Sequence, residues 1–251
     1  SASITISARW WSCAARGEAQ YRLERKEILR GELKHRIAYA LFPRYSLLLD
    51  QINNNALVGA WIKEHSSLPS FETRYDLYDF VNSAILGDGE IDFLEFGVYK
   101  GDSIRHWASV NKNSASRFWG FDSFEGLPEK WGSVMQAGAF DVQGKMPDID
   151  DVRVKFIKGW FQDSLPDFLR EVSVRSRLVL HIDSDLHSSA LYCLTKLDPL
   201  IVSGTVILFD EFSSALHEFR ALTEYCQAYR RKVKPVGMTS HFADQVAFVV
   251  E

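Results

Sequence analysis

The sequence predicts an α/β fold, a doubly wound sheet of mostly parallel strands closed by an antiparallel C-terminal hairpin and preceded by a helical arm. Three observations carry that expectation. From Tyr75 onward, short β-branched and aromatic runs alternate with helical patterns, as in a parallel sheet wrapped by its crossover helices. Most of the central strand runs end at, or one residue before, a polar or acidic residue, which collects acids on the sheet edge where such folds bind ligands. The last two runs, Val233–Met238 and Val246–Val250, are joined by so short a polar stretch that only an antiparallel pairing fits.

The elements follow in order. From Glu18 to Phe42, Tyr21, Ile28, Leu29, Leu33 and Ile37 recur at helical spacing among Arg22, Glu24, Arg25, Lys26, Glu27 and Arg30, and Pro43 stops the run. The charges read as a solvated helix face. A weaker helix covers Leu47–Ile62, and Leu68-Pro69-Ser70 reads as a linker. Residues 1–70 are therefore expected to form a helical cap or oligomerisation arm, and residues 71–251 the ligand-binding domain. In that domain a helix at Tyr75–Leu86 stops at Gly87-Asp88-Gly89. Strands are expected at Ile91–Phe96, Phe118–Phe121, Val154–Ile157, Leu178–Ile182 and Thr205–Phe209, with helices near Ser103–Val110, Leu165–Val172, Ser188–Leu197 and Ser213–Arg231.

Bulk properties narrow the partners. A chain of 251 residues with 46% hydrophobic and 25% charged residues has ordinary globular composition. A net charge of -4 gives no reason to expect nucleic acid or an anionic membrane. The three cysteines, Cys13, Cys193 and Cys226, are too few and too scattered for a disulfide framework or a zinc site, and Cys193 and Cys226 read as buried thiols. No apolar stretch approaches the ~20 residues of a membrane span. The N-terminal residues, with Trp10, Trp11 and Arg16, lack a signal-peptide core. A cytoplasmic protein is expected.

The most informative stretch is Glu95-Phe96-Gly97-Val98-Tyr99-Lys100-Gly101, at the end of the first central strand. Its spacing is neither the dinucleotide Gly-x-Gly-x-x-Gly nor the phosphate loop, and an acid inside the turn would repel a pyrophosphate. A zwitterion with an amino group suits it, and S-adenosylmethionine is the best candidate. One strand further on, Asp122 stands where an acid can hold both ribose hydroxyls, or alternatively cap a loop. Asp183, Asp210 and Glu211 end the next strands. If those strands are neighbours, the carboxylates converge and a hard divalent metal would relieve their repulsion. The alternative is that Asp210 caps a helix and Glu211 faces water. Asp185 carries the same ambiguity. His181, inside a strand, reads as a satisfied core residue, and His241 as surface. His187 stays open between general base and helix-terminal donor. Among Trp119, Trp131, Trp160 and Phe161, stacking on adenine is expected only of Trp160 and Phe161.

The ordered blocks Glu95 to Gly101, Phe121-Asp122-Ser123-Phe124-Glu125-Gly126-Leu127-Pro128, Lys158 to Pro166, Ile182-Asp183-Ser184-Asp185-Leu186-His187 and Phe209-Asp210-Glu211-Phe212 resemble the macrocin O-methyltransferase family over about Tyr75 to Arg220. The resemblance implies a Rossmann-like class I fold and S-adenosylmethionine-dependent, Mg2+-assisted methylation of a sugar hydroxyl. It implies that Glu95, Gly97 and Gly101 cradle the methionine end, with Val98, Tyr99 and Ser103 of the same turn. Asp122, with Ser123, would hold the ribose, and Gly159, Trp160 and Phe161 would flank the adenine. Asp183, Asp210 and Glu211 would ligate the metal, with Asp183 also a catalytic base and a cofactor contact. Two departures stand out: the family usually has two aspartates where this chain has Asp210-Glu211, and a tyrosine where it has His187.

The expected activity is thus methyl transfer to a hydroxyl of a small acceptor by a homo-oligomer. One alternative is metal-independent transfer with His187 or Asp185 as base. Another is a non-catalytic cofactor-binding scaffold subunit.

Overall fold

All six residues of Ile91–Phe96 are buried, which is what a central strand needs when helices cover both its faces. The computed structural model describes residues 29–36, 38–39, 46–131 and 135–251. Its elements run α1 Ser46–Glu64, β1 Ser70–Phe71, α2 Arg74–Phe80, β2 Ile91–Phe96, α3 Asp102–Val110, β3 Arg117–Asp122, β4 Val154–Lys158, α4 Phe161–Glu171, β5 Arg177–Ile182, α5 His187–Leu197, β6 Val206–Phe209, α6 Glu218–Tyr229, β7 Val233–Thr239 and β8 Val246–Val250. A π-helical turn, Val81–Ile85, prolongs α2.

The strands form one sheet in the order β1-β7-β8-β6-β5-β2-β3-β4. Every pairing is parallel except those of β8, which runs antiparallel to both β6 and β7. The expected hairpin is present, but it is not an appendage at the edge. β7 passes to the outside and β8 returns between β7 and β6, so β8 is the one reversed strand. The linker expected at Leu68-Pro69-Ser70 runs into a two-residue edge strand parallel to β7, with Ser70 opposite Met238.

Side-chain alternation splits the core into two layers. Leu94 and Phe96 of β2 pack with Phe121, Ile182 and Phe209 under α4, α5 and α6. Ile91 and Phe93 pack with Trp107, Tyr78 and Val179 under α2 and α3. The register sets Glu95 opposite His181 on that second face, a placement that decides the role of both.

Local chemistry explains where the helices start and stop. Thr73 caps α2 through a capping box with Asp76. α4 starts at Phe161, four residues before the expected Leu165, and accommodates Pro166 in its interior. The Gln162 carbonyl that Pro166 cannot bond is approached instead by the Tyr192 hydroxyl at 3.4 Å. α6 begins later than the expected Ser213, because residues 212–213 are tied to Asp244 of the β7–β8 turn.

The chain divides into units Ser1–Ile52 and Asn53–Glu251. The second unit thus begins before the expected boundary at residue 70, since Val58, Trp61, Ile62 and Leu68 join the first core layer. Residues 29–36 and 38–39 are helical. The rest of the helix expected over Glu18–Phe42, together with Trp10, Trp11, Cys13, Arg16 and Pro43, lies outside the described residues. Cys193 is fully buried and burial pushes its thiol up; the Cys226 thiol rises to about 11 for the same reason. No helix among the described residues is long and apolar enough to cross a membrane.

At the amino end of the sheet, Asp92 takes two bonds from the Arg117 guanidinium, at 2.7 and 2.8 Å, and the N–H groups of Arg175 and Ser176. Removing a fully buried partner leaves the others unpaired, so Asp92→Ala should cost about 3–5 kcal/mol. Urea unfolding should show a lower midpoint at unchanged slope; a loss near zero would mean that water replaces the carboxylate.

Candidate functional site

Because β2, β3, β4, β5 and β6 are parallel, their carboxyl ends meet on one edge, and a cavity of about 310 Å3 opens there. The strand order arranges its wall. Trp160 and Phe161 follow β4, Asp122 and Ser123 end β3, Gly97 and Tyr99 follow β2, Asp183 to Asp185 follow β5, and Asp210 and Glu211 follow β6. Neighbouring strands lie ~4.8 Å apart, so the cavity is aromatic at one end and acidic at the other. Phe140, from the β3–β4 connection, adds an edge-to-face contact with Tyr99 at 5.6 Å. Arg74 enters at the acidic end from the start of α2.

The glycine turn is fixed by backbone contact. A Cβ on Gly97, whose φ is +98°, would lie 1.7 Å from the Asp183 carbonyl oxygen, so only glycine fits. At Gly101 the close approach is to Pro147, and this residue lies outside the cavity wall. Asp122 reaches the cavity, but its oxygens already accept the N–H groups of Val98, Tyr99 and Phe124 at 2.7–2.8 Å. It is the clasp of the turn, and a ligand would share what lone pairs remain. Tyr99, Phe124 and Asp185 hold positive φ values of 50–60°, and such left-handed residues concentrate at functional sites.

Glu95 does not line the cavity. Its Oε1 pairs with His181 Nδ1 at 2.9 Å, while His181 Nε2 sits 3.0 Å from the Tyr78 hydroxyl. That hydroxyl reaches Asp210 Oδ1 at 3.3 Å, and Arg74 donates to Asp210 Oδ2 at 2.9 Å. A buried polar chain therefore runs from β2 through β5 and α2 to the mouth of β6. His181 is the satisfied core residue expected.

The acids are packed tightly. Burial, then neighbouring carboxylates, hold the Asp183 and Glu211 carboxyls well above their usual range. Burial and Asp210 raise Glu218, against the two N–H groups that it accepts. Asp185 is pushed to about 7 by burial, Asp210 and Asp122. Glu211 Oε2 is buried without a hydrogen-bond partner among the described residues. His181, Asp183 and Asp210 offer atoms within 4.8 Å of one another. His181 would have to give up its Tyr78 contact to serve as a ligand, and Glu211, though it lines the same cavity, is not among this ligand-distance group.

The model of the family described as Macrocin-O-methyltransferase (TylF) matches residues 74–242, more than half of the chain. The chain belongs to the macrocin O-methyltransferase family. It is 28% identical over 174 residues to an 8-demethyl-8-(2,3-dimethoxy-alpha-L-rhamnosyl)-tetracenomycin-C 4'-O-methyltransferase of Streptomyces olivaceus, covering 59% of this chain and 65% of that one. It is 26% identical over 156 residues to a demethyldecarbamoylnovobiocin O-methyltransferase of Streptomyces niveus, covering 52% and 58%. The chain thus spans under two thirds of either relative. Two solved structures share its fold: the O-methyltransferase NovP, at TM-score 0.52, 22% identity and 70% and 78% coverage, and the calicheamicin methyltransferase CalS11, at 0.54, 17%, 79% and 91%.

For a macrocin O-methyltransferase family member the expected site residues divide clearly. Gly97, Tyr99, Asp122, Ser123, Trp160, Phe161, Asp183, Asp210 and Glu211 line the cavity; Glu95, Val98, Gly101, Ser103, Gly159 and His187 do not. His187 is turned to α6, where its Nε2 pairs with Glu224 at 2.8 Å. Trp119 is core, packed edge-on against Phe168, and His241 is exposed.

The sequence reading missed Arg74, Tyr78 and Glu218. Glu218 is fully buried and accepts the N–H groups of Ser184 and Glu211, tying the exits of β5 and β6 together. A signal existed, since Glu218 sits at helical spacing with buried Ala221, Leu222 and Tyr225. Tyr78 likewise keeps helical spacing with Val81 and Ile85 in the helix expected over Tyr75–Leu86, whereas Arg74, just before it, carries no such mark.

Glu218→Ala should strip both acceptors and cost about 1–3 kcal/mol for each N–H left bare. Hydrogen exchange should quicken at the amides of residues 184 and 211 ahead of the sheet; unchanged protection there would remove Glu218 from this role.

Proposed function

We propose that this protein is an S-adenosylmethionine-dependent O-methyltransferase acting on a hydroxyl of a sugar or other natural-product-like acceptor. The carrying observation is the order along the sheet edge: an aromatic end at Trp160, Asp122, the side-chain-free turn at Gly97, then the acids. That order matches an adenosine at one end and a cationic sulfonium and amine at the other. The two Streptomyces relatives, both O-methyltransferases named for natural-product substrates, support the reading.

The donor set of Asp183, Asp210 and Glu211 fits Mg2+, with the orphaned Glu211 Oε2 as the best argument for it; Asp210 brings only what Arg74 and Tyr78 leave free. Bound there, such an ion supplies acidification of an acceptor hydroxyl, and the sulfonium of S-adenosylmethionine supplies an activated methyl group. The chain itself aligns the partners: the Gly97 turn and Asp183 fix one, and the walls exclude water from the other. A second reading, transfer without metal, is favoured by Asp185. It lines the cavity with a carboxyl pushed up to about 7, a value suited to a general base. His187 pairs with Glu224 away from the cavity, which weighs against it as the base and supports Asp185 in that role.

Incubation with methyl-labelled S-adenosylmethionine and a panel of hydroxylated glycosides should label an acceptor. Excess chelator should stop transfer while calorimetry still detects S-adenosylhomocysteine binding, and added Mg2+ should restore turnover. Turnover that persists in chelator but vanishes in Asp185→Asn would select the metal-free reading. Failure to bind S-adenosylhomocysteine at all would remove both.

A further inference from the structure

Arg74 is the one cation among the described residues that line the cavity. One of its nitrogens donates to Asp210 Oδ2 at 2.9 Å, and no other hydrogen bond from its guanidinium is formed among the described residues. Its side chain remains 38% exposed, against 6% for Asp210. The guanidinium is always charged and carries five donors in a fixed fork. Spending one on Asp210 therefore orients the group and leaves most of its donors available.

Its backbone is anchored. Arg74 is the first residue of α2, inside the capping box that joins Thr73 to Asp76. Asp210 is gripped from below by Tyr78, which leans on His181 and Glu95. The buried polar chain thus ends on a cation facing a pocket otherwise lined by carboxylates.

The cofactor of the proposed function, on which this inference rests, is a zwitterion. Its sulfonium and amine suit the acids, but its carboxylate would be repelled by Asp183, Asp185, Asp210 and Glu211 unless a cation met it. With the adenosine toward Trp160 beyond β4 and the methionine chain over Gly97 at β2, the amino-acid end points to the exits of β5 and β6. Arg74 stands at that end. We propose that Arg74 is the carboxylate-binding residue for the methionine moiety of S-adenosylmethionine, held in place by Asp210 and by the Glu95–His181–Tyr78 chain behind it. Asp210 then serves first as the orienting partner of Arg74, which also accounts for how so many acids coexist at one edge.

The test compares two ligands that differ in the amino-acid end. S-adenosylhomocysteine carries the carboxylate, whereas 5'-methylthioadenosine ends at the thioether. Calorimetry on the full chain should find both binding to the wild type. Arg74→Met should weaken S-adenosylhomocysteine by about ten- to a hundred-fold, the range for losing a charge-assisted bond, and leave 5'-methylthioadenosine unchanged. Arg74→Lys, which keeps the charge but not the fork, should fall between. Unaltered S-adenosylhomocysteine affinity in Arg74→Met would overturn the assignment. So would an equal loss for both ligands, which would make Arg74 a structural residue. Wild-type protein that binds neither ligand would instead sink the cofactor reading itself.

Discussion

The Asp183 carbonyl occupies the place where a side chain on residue 97 would stand. This approach joins the exits of β2 and β5 through backbone, and the ladder continues past the strands, with Gly97 donating to Phe121 and Asp183 to Phe96. The other contacts at the site are built on that junction. Asp122 clasps the turn that leaves Gly97, and Glu218 gathers the turns that leave β5 and β6. Because each clasp is a carboxylate on backbone N–H groups, the wall is set by main chain and not by mobile side-chain tips.

Concentrating carboxyls in this way opposes folding, and the raised proton affinities of Asp183, Glu211 and Glu218 measure that opposition. Three devices offset it. Arg74 supplies a full charge to Asp210, His181 supplies a partner to Glu95, and amides supply dipoles to Glu218 and Asp122. What remains uncompensated is chiefly Glu211 Oε2, buried without a partner among the described residues on a side chain that lines the cavity. A site poised in this way favours a cationic guest.

Much of this was legible in the sequence. The strand ends declared themselves because an apolar run followed by glycine or acid has few other uses, and Ile91–Phe96 and Val246–Val250 fall where periodicity put them. Asp183, Asp210 and Glu211 line one cavity because β5 and β6 are neighbours, but the group at ligand distance is His181, Asp183 and Asp210. Depth within the sheet was not legible. Glu95 and Gly97 are two residues apart, yet Glu95 still lies within β2 with its side chain buried on the α2 face, whereas Gly97 lies past the end of the strand, on the rim. His187 was placed near the reaction centre by its closeness to Asp183 in sequence, but the first turn of α5 rotates it toward Glu224. The partners that satisfy these groups, Tyr78 and Arg74, sit more than a hundred residues from Asp210, and local pattern carries no trace of so distant a pairing.

The returning strand β8 has a consequence for how the protein is made. It fills the gap between β6 and β7, so β7 and the short β1 have no sheet to join until β8 has docked. During synthesis the half from β4 to β6 can assemble as soon as it clears the ribosome. Phe248, however, is an inner neighbour of Phe209, Phe212 and Trp61, and reaches them only once β8 has been made. Until then the open edge of β6 exposes unpaired backbone. An unpaired edge of this kind invites misassembly, and a chain without β8 would keep it open.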